Sequence, residues 1–456
     1  MTVVAGGQES TPVDNVLPYP DQALFLALRG AGQEAVMQVL WVYEHPIDLD
    51  GLKRFHHDFG RGMLARRIEP SPLPFGRHRW VSAGPPPELA ISDKPRDRAE
   101  LHDWADEQVE LPLDPQWGPG WRFGVQPFTD GSTVVSLVIS HCIADGGAVV
   151  IGLVQAVLGM HRDLGYPAPR SLSRLRVMAA DLRQLLRDAP EVGRTLRKAV
   201  RVAVSRREEV TRGRAALPPA TRGGEIAKVP SISVFVDTGE WDARAESLGG
   251  NSFSLVAAFA ARVAEHLGRT RASDGNVTLI IPVNDREDIF DTGGNVVALA
   301  NTSFGPAGVT DDLTGVRGAI REALQKARAV PDEMIELLPL IPFLPKGAIA
   351  RMADAAFGFS TDFPVSCSNM GDLPPEVLRV DGTDAEYLCF RGVDRKVTRA
   401  TLDRRQGLMT VASGRVGGKI VNTVISYQPD GDNSQGHLHE VVLRTLDEFS
   451  LSGKVL

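Results

Sequence analysis

The stretch from Ser132 to Val150, STVVSLVISHCIADGGAVV, constrains this chain more than any other. Thr133 to Ile139 is an apolar run of strand length, rich in β-branched residues, and polar residues begin where it stops. His141 and Asp145 therefore stand at the mouth of a buried strand. The order His141-x-x-x-Asp145-Gly146-Gly147, followed by the apolar run Ala148 to Leu158, predicts strand, tight loop and helix, with the glycines allowing positive φ or a close backbone approach. A histidine aimed out of a strand end is a candidate general base, because its unperturbed pKa lies near neutrality. The plain alternative is a structural or surface histidine.

The longer stretch Leu111 to Gly147, LPLDPQWGPGWRFGVQPFTDGSTVVSLVISHCIADGG, resembles the condensation-domain superfamily of CoA- and carrier-protein-dependent acyltransferases. That superfamily includes chloramphenicol acetyltransferase, condensation domains of nonribosomal peptide synthetases, mycobacterial polyketide-associated acyltransferases, and bacterial wax ester synthase/diacylglycerol acyltransferases. Two further segments are similar to it: Pro282-Val283-Asn284-Asp285-Arg286, like the family's Pro-Val-x-x-Arg at a strand end, and Ser368-Asn369-Met370-Gly371, like its Ser-Asn-x-Gly after a strand. The family often carries two adjacent histidines before x-x-x-Asp-Gly. Here Ser140 stands in place of the first, and His141 matches the second, which is the one credited with catalysis.

The resemblance implies an α/β fold of the α+β sandwich kind. Two chloramphenicol acetyltransferase-like subdomains, each a mostly antiparallel or mixed sheet covered by helices, would meet at a tunnel holding the His141 loop. The expected division is residues 1–215, with the catalytic loop and a basic helical linker, and residues 216–456, with Pro218-Pro219 through Gly223-Gly224 marking the boundary. The resemblance also implies that Asp145 is structural, paired with Arg286, which fits the cost of burying a carboxylate alone. Gly146 is expected where a side chain would block substrate or a backbone N–H. Gly147, Ser368 and Asn369 are candidate substrate contacts, with Asn369 donating to an oxyanion or to a pantetheine arm, or tying one strand to the next.

Along the chain, Pro20 to Arg29 predicts a first helix, Ala35 to Glu44 a strand, and Asp50 to Leu64 a helix with Asp50 near its cap. His56-His57-Asp58 reads as a solvated helix face and not a metal site, since adjacent helical residues point in different directions. Ser71 to Pro95 reads as loop around a short strand, Glu100 to Val109 as helix, and Trp121 to Phe128 as a strand in a hairpin with Thr133 to Ile139. In the second half, Ser231 to Val236, Val277 to Val283, Val296 to Ala300 (flanked by Asn295 and Asn301) and Phe363 to Cys367 read as strands. Helices are expected at Ser252 to Leu267, Leu313 to Ala329 and Gln435 to Phe449, where His437-x-His439 reads as exposed. Leu408 to Ala412 and Ile420 to Tyr427 predict a closing hairpin over Gly414 to Gly418, a turn and not a phosphate loop. Ile341 to Phe359 is apolar and lines an acyl tunnel or forms core helix; it contains too much Pro for a membrane span.

The charge is uneven. The chain of 456 residues carries a net −7, which argues against a nucleic-acid partner. Yet arginines accumulate from Arg170 to Arg214 with leucine, valine and alanine between them, predicting basic amphipathic helices broken near Pro190. That stretch reads as a solvated linker, or as a site for anionic lipid, the phosphates of CoA, or an acidic carrier protein. Cys142, Cys367 and Cys389 lack metal spacing and predict free thiols in a reducing compartment. The start MTVVAGGQESTP is not of the secretory-signal type, so the expected location is cytoplasmic, with peripheral membrane contact through the arginine stretch as an option.

No Gly-x-Ser-x-Gly elbow, dinucleotide fingerprint, Walker loop or zinc-protease motif occurs, which removes serine hydrolase, dehydrogenase and nucleotidase readings from the lead. With one histidine base and no obvious protein nucleophile, the expected chemistry is direct acyl transfer. His141 takes the proton from an acceptor hydroxyl or amine that attacks an acyl-CoA or acyl-carrier thioester. No cofactor or metal is expected beyond that co-substrate. The alternative is a noncatalytic condensation-like module that binds an acyl carrier or partner protein.

Overall fold

The computed structural model describes residues 14–32, 34–160, 164–205, 224–288, 291–329, 333–345, 349 and 363–456. In its first half the chain forms α1 (Tyr19–Ala31), β1 (Glu34–Tyr43), α2 (Leu49–Phe59), β2 (Arg66–Glu69), β3 (Arg79–Ser82), β4 (Ala90–Ile91), α3 (Leu101–Glu110), β5 (Trp121–Pro127), β6 (Thr133–Ser140), α4 (Gly146–Val157) and α5 (Arg174–Ser205). The second half forms β7 (Ser231–Asp237), α6 (Thr238–Ser247), α7 (Ser252–His266), β8 (Val277–Asn284), β9 (Val297–Phe304), α8 (Thr314–Ala329), α9 (Glu333–Leu337), β10 (Val365–Asp372), β11 (Tyr387–Arg395), α10 (Arg399–Arg404), β12 (Leu408–Val416), β13 (Lys419–Tyr427), α11 (Gln435–Glu448) and β14 (Lys454–Val455).

Two mixed sheets carry the architecture, one of order β11-β1-β6-β5-β4 and one of order β14-β7-β13-β12-β10-β8-β9, with β2 and β3 as a separate hairpin. Every residue of β6 is buried. It can therefore be apolar on both faces, and it is flanked on both sides by antiparallel partners, β1 and β5, that satisfy its backbone. The second sheet is built around β12 and β13, whose hairpin closes over Gly417-Gly418, both at positive φ. That two-residue turn is tighter than the Gly414 to Gly418 loop expected, because only glycine adopts the left-handed pair without strain. Against this sheet lies α7, with ten consecutive or near-consecutive buried residues from Ser254 to Ala264. Its alanines let helix and sheet approach closely, and Asn251 and Ser254 form a reciprocal capping box worth about 1 kcal/mol.

Several local expectations change. Asp48, not Asp50, caps α2, accepting from Asp50 N at 3.0 Å. The helix ends at Phe59, where Gly60 begins a turn. His56 is buried against Trp121 and Phe123 instead of lying on a solvated face, and burial lowers its pKa. Pro190 does not break the basic segment, which is one helix of 32 residues with Pro190 inside it. Pro190 and Ala189 are exposed, so the ring costs one backbone bond where water surrounds the helix. β10 continues through Ser368 and Asn369 to Asp372, and β9 extends to Phe304. β11 has no counterpart in the sequence reading. It lies after residue 216 and yet pairs with β1 in the first sheet over Glu34↔Arg395 to Val42↔Tyr387. Arg206 to Arg214, the Pro218 to Gly224 boundary except Gly224 itself, and most of Ile341 to Phe359 lie outside the described residues; among the described residues Leu338–Phe343 is a 3-10 helix with Ile341 buried. Among the described residues no helix is long and apolar enough to cross a membrane.

Candidate active site

The loop after β6 is held by its own backbone before any side chain acts. Ser140 N donates to Gly120 O at 2.9 Å, His141 N to Ala35 O at 3.0 Å, and Ile143 N turns back to Ser140 O at 3.0 Å. The buried Ser140 hydroxyl accepts from Cys142 N at 3.4 Å, so it braces the turn. Asp145 then caps α4, its carboxylate accepting from Ala148 N at 2.8 Å.

His141 is half-buried, and its carbonyl accepts from Asn295 Nδ2 at 2.8 Å. Its Nδ1 is buried with no hydrogen-bond partner. A backbone bond from β1 and the Asn295 side chain therefore fix where the residue sits, while the buried Nδ1 of the ring is left unpaired.

Arg286, on the loop after β8, reaches across the halves to Asp145 at 2.8 Å, the two side chains being 2% and 4% exposed. The pair is well compensated. Asp145 also accepts from Val296 N at 2.9 Å, and Arg286 also donates to Gly293 O at 3.1 Å and Gly294 O at 3.2 Å. Buried charges persist when most of their remaining lone pairs and protons are also satisfied; of this pair, Arg286 Nε is the buried nitrogen left without a partner. Gly147 makes this approach possible, since a Cβ there would lie 2.9 Å from Arg286 Nη1. At Gly146 a Cβ would lie 2.9 Å from Met370 Cε, which brings the Ser368 to Gly371 segment against the start of α4.

Asn369 and Ser368 lie where β10 loses its regular register against β12, between Asn369 and Asp372. Asn369 is exposed, and its Oδ1 accepts from Gly371 N at 3.0 Å, with Gly371 at φ 67. The carbonyl oxygen is thus spent on a local turn, which leaves the amide NH2 as the group with donors to offer.

Three further residues hold the loop, and the sequence reading did not single them out for this. Arg66, 1% exposed and stacked 4.2 Å from the Trp80 ring, donates to Ile143 O at 2.7 Å and to Thr292 O. Asp21, fully buried on α1, accepts from Gly294 N at 3.1 Å and from Asn295 Nδ2 at 2.7 Å. Burial pushes its carboxyl up to about 6, opposed by the Arg66 charge and these donors. Asn295 thus bridges Asp21 to the His141 carbonyl, and residues 292–296 form a strap over the His141 loop. The one sequence signal was the Gly293-Gly294 pair. A Cβ at Gly294 would lie 2.6 Å from Asp21 Oδ1, so the close approach requires glycine. Arg66 follows Ala65 and precedes Arg67 in a run that reads as ordinary surface charge.

Among the described residues no group of histidine, cysteine or acidic side chains is arranged to hold a metal ion. A cavity of about 290 Å3 is lined by Phe235, Tyr387, Lys419 and Lys454. Tyr387 pairs with Val42, which faces Val134 at the start of β6, so this cavity lies at the opposite end of the sheet from His141.

No family model and no curated protein matches the sequence. Solved structures match its fold. The first condensation domain of the CDA synthetase is 15% identical with a TM-score of 0.56, the match covering 98% of this chain and 100% of that one. The first condensation domain of the calcium-dependent antibiotic synthetase in complex with a substrate analogue is 15% identical with a TM-score of 0.58, covering 96% of each chain. The nonribosomal peptide synthetase FmoA3 is 17% identical with a TM-score of 0.56; the match covers 97% of this chain but 44% of that one, so this chain spans less than half of that protein. The chain has the condensation-domain fold, with two chloramphenicol acetyltransferase-like halves and mixed sheets.

Proposed function

We propose that this chain is an acyltransferase that moves an acyl group from a CoA or carrier-protein thioester to a hydroxyl or amine acceptor, with His141 as general base. The observation that carries the reading is the way groups from both halves converge on one loop to hold a half-buried histidine at the end of β6. In this reading His141 takes the acceptor's proton as its oxygen or nitrogen attacks the thioester carbonyl. The tetrahedral intermediate then collapses, the C–S bond breaks, and the imidazolium returns the proton to the departing thiolate. Asp145 and Arg286 position the loop, and the outward amide of Asn369 is the available donor for an oxyanion or a pantetheine arm, with Ser368 and Gly147 beside the same path.

Direct transfer also fits the cysteines. Burial pushes Cys142 and Cys367 up to about 12 and Cys389 up to about 11, so none is a ready thiolate nucleophile. Three free buried thiols suit a cytoplasmic setting. A noncatalytic module that binds an acyl carrier is the second reading, favoured by the Ser140 hydroxyl being engaged with Cys142 N and leaving the His141 ring without an orienting partner.

The test is thiol release from a panel of acyl-CoAs and acylated carrier proteins, with hydroxyl and amine acceptors varied. His141→Ala should lower transfer by ~10²–10⁴ while leaving the fold intact. Wild-type turnover in that variant overturns the assignment. Tight binding of an acylated carrier with no release from any donor selects the noncatalytic module.

A further inference from the structure

Helix α5 faces three ways. Its inner side is tied to the body: Asp181 is fully buried and ion-paired with Arg79, Asp188 meets Arg77 at 3.3 Å, and Lys198 pairs with Glu336. Its outer side carries Leu175, Leu182, Leu186, Leu196 and Val200, each more than half exposed and Leu175 at 78%. Ala179, Ala189 and Gly193 stand between them, so the line advances by alternating four- and three-residue steps. The result is an apolar stripe ~38 Å long, interrupted near its C-terminal end by the exposed Arg197. About a quarter turn further round lie Arg176, Arg183, Arg187, Arg194 and Arg201, all exposed, as one row along the stripe's flank. With Asp181 and Asp188 turned inward, Glu191 is the only acid on the outer surface of this helix.

Leaving so long an apolar line in water is costly, and its flank decides what covers it. A second copy packed stripe to stripe would bring two arginine rows together with one glutamate each to offset them. A small acidic domain is convex and would touch only part of so long a straight line. A plane with an apolar interior and phosphates at its edge satisfies both features along the whole length, the leucines entering the acyl boundary while the arginine stems extend to the headgroups. The arginines oppose the net charge of −7 on the chain as a whole.

We propose that α5 is a docking surface for an anionic lipid bilayer, lying in the interface plane. The inference stands on this helix alone and does not depend on the acyl-transfer reading. The experiment is co-sedimentation of the full chain with vesicles of phosphatidylcholine containing 30% phosphatidylglycerol, against vesicles of phosphatidylcholine alone. The wild type should bind the first, and weaken as salt is raised. Arg183→Gln/Arg187→Gln/Arg194→Gln should weaken it on the order of 100-fold, at about 5-fold per arginine. Leu182→Gln/Leu186→Gln should abolish binding at unchanged salt, and a tryptophan placed by Leu186→Trp should shift its emission to the blue on adding vesicles. All of these positions are exposed, so an unchanged melting temperature shows that the variants fold. No vesicle binding by the wild type, binding indifferent to both sets of substitutions, or a stripe-dependent dimer in lipid-free sedimentation would each overturn the proposal.

Discussion

Breaking the bridge between Asp145 and Arg286 should cost more than either residue's own contacts, and the excess can be measured. Arg286→Ala leaves the Asp145 carboxylate buried with only Ala148 N and Val296 N as donors. A stranded charge of this kind costs about 3–5 kcal/mol. Asp145→Ala strands the guanidinium against the carbonyls of Gly293 and Gly294 at a similar cost. It also removes the cap of α4, about 1 kcal/mol, and leaves Val296 N unsatisfied, about 1–3 kcal/mol. The double variant strands no charge, so only the lost cap, the unpaired backbone groups and the cavity remain, roughly 3–5 kcal/mol. The cycle should therefore close with a coupling of at least about 3 kcal/mol. Asp145→Asn, which keeps an oxygen for Ala148 N, should fall below Asp145→Ala. The assay is urea unfolding followed by circular dichroism and by tryptophan fluorescence, whose transitions must coincide for the free energies to be comparable. Single-variant costs that add to the double within about 0.5 kcal/mol would refute the reasoning, because charges in contact cannot be independent.

Two other outcomes test the strap over the loop. Asn295→Ala removes the donor shared by Asp21 and the His141 carbonyl; it should lower kcat for acyl transfer about 10-fold through misplacement of the base, with KM little changed and the same pH profile, whereas an unchanged kcat would remove Asn295 from the positioning network. Asp21 titrates at about 6 in the folded protein against an ordinary 3.8, so its stabilising contribution is complete below the unfolded value and is lost as pH rises through the folded one; relative to Asp21→Asn, the wild type should lose on the order of 3 kcal/mol between about pH 4 and 6.5, and a difference between the two that is flat across that range in urea unfolding at stepped pH would contradict the assignment.

What could be read from the residues was what lies close in sequence. β6, the turn after it and α4 are contiguous, and their apolar and glycine patterning is strong enough to place His141 at a strand end before any coordinates. The contacts that hold that histidine are far apart in the chain: Asn295 lies 154 residues from His141 and Arg66 77 residues from Ile143. Apart from the Gly293-Gly294 pair beside Asn295, nothing in their local sequence separates them from surface residues. His56 misled for a related reason, since a pair of histidines on a helix looks solvated until Trp121 and Phe123 are folded onto it. Pro190 misled because propensity counts the lost hydrogen bond and ignores that the ring faces water.

The insertion of β11 beside β1 also decides the order in which this chain can be made. When residues 1–215 have left the ribosome, β1 has β6 on one side and, on the other, a bare row of amides whose partners, Tyr387 to Arg395, are still untranslated. At ~5–20 residues per second, that edge waits on the order of ten to forty seconds for its closing strand. A nascent chain in that interval is an open template for pairing with its neighbours. The first half cannot finish as an independent unit, and the sheet that carries the histidine gains its last neighbour for β1 only once Arg395 has been made.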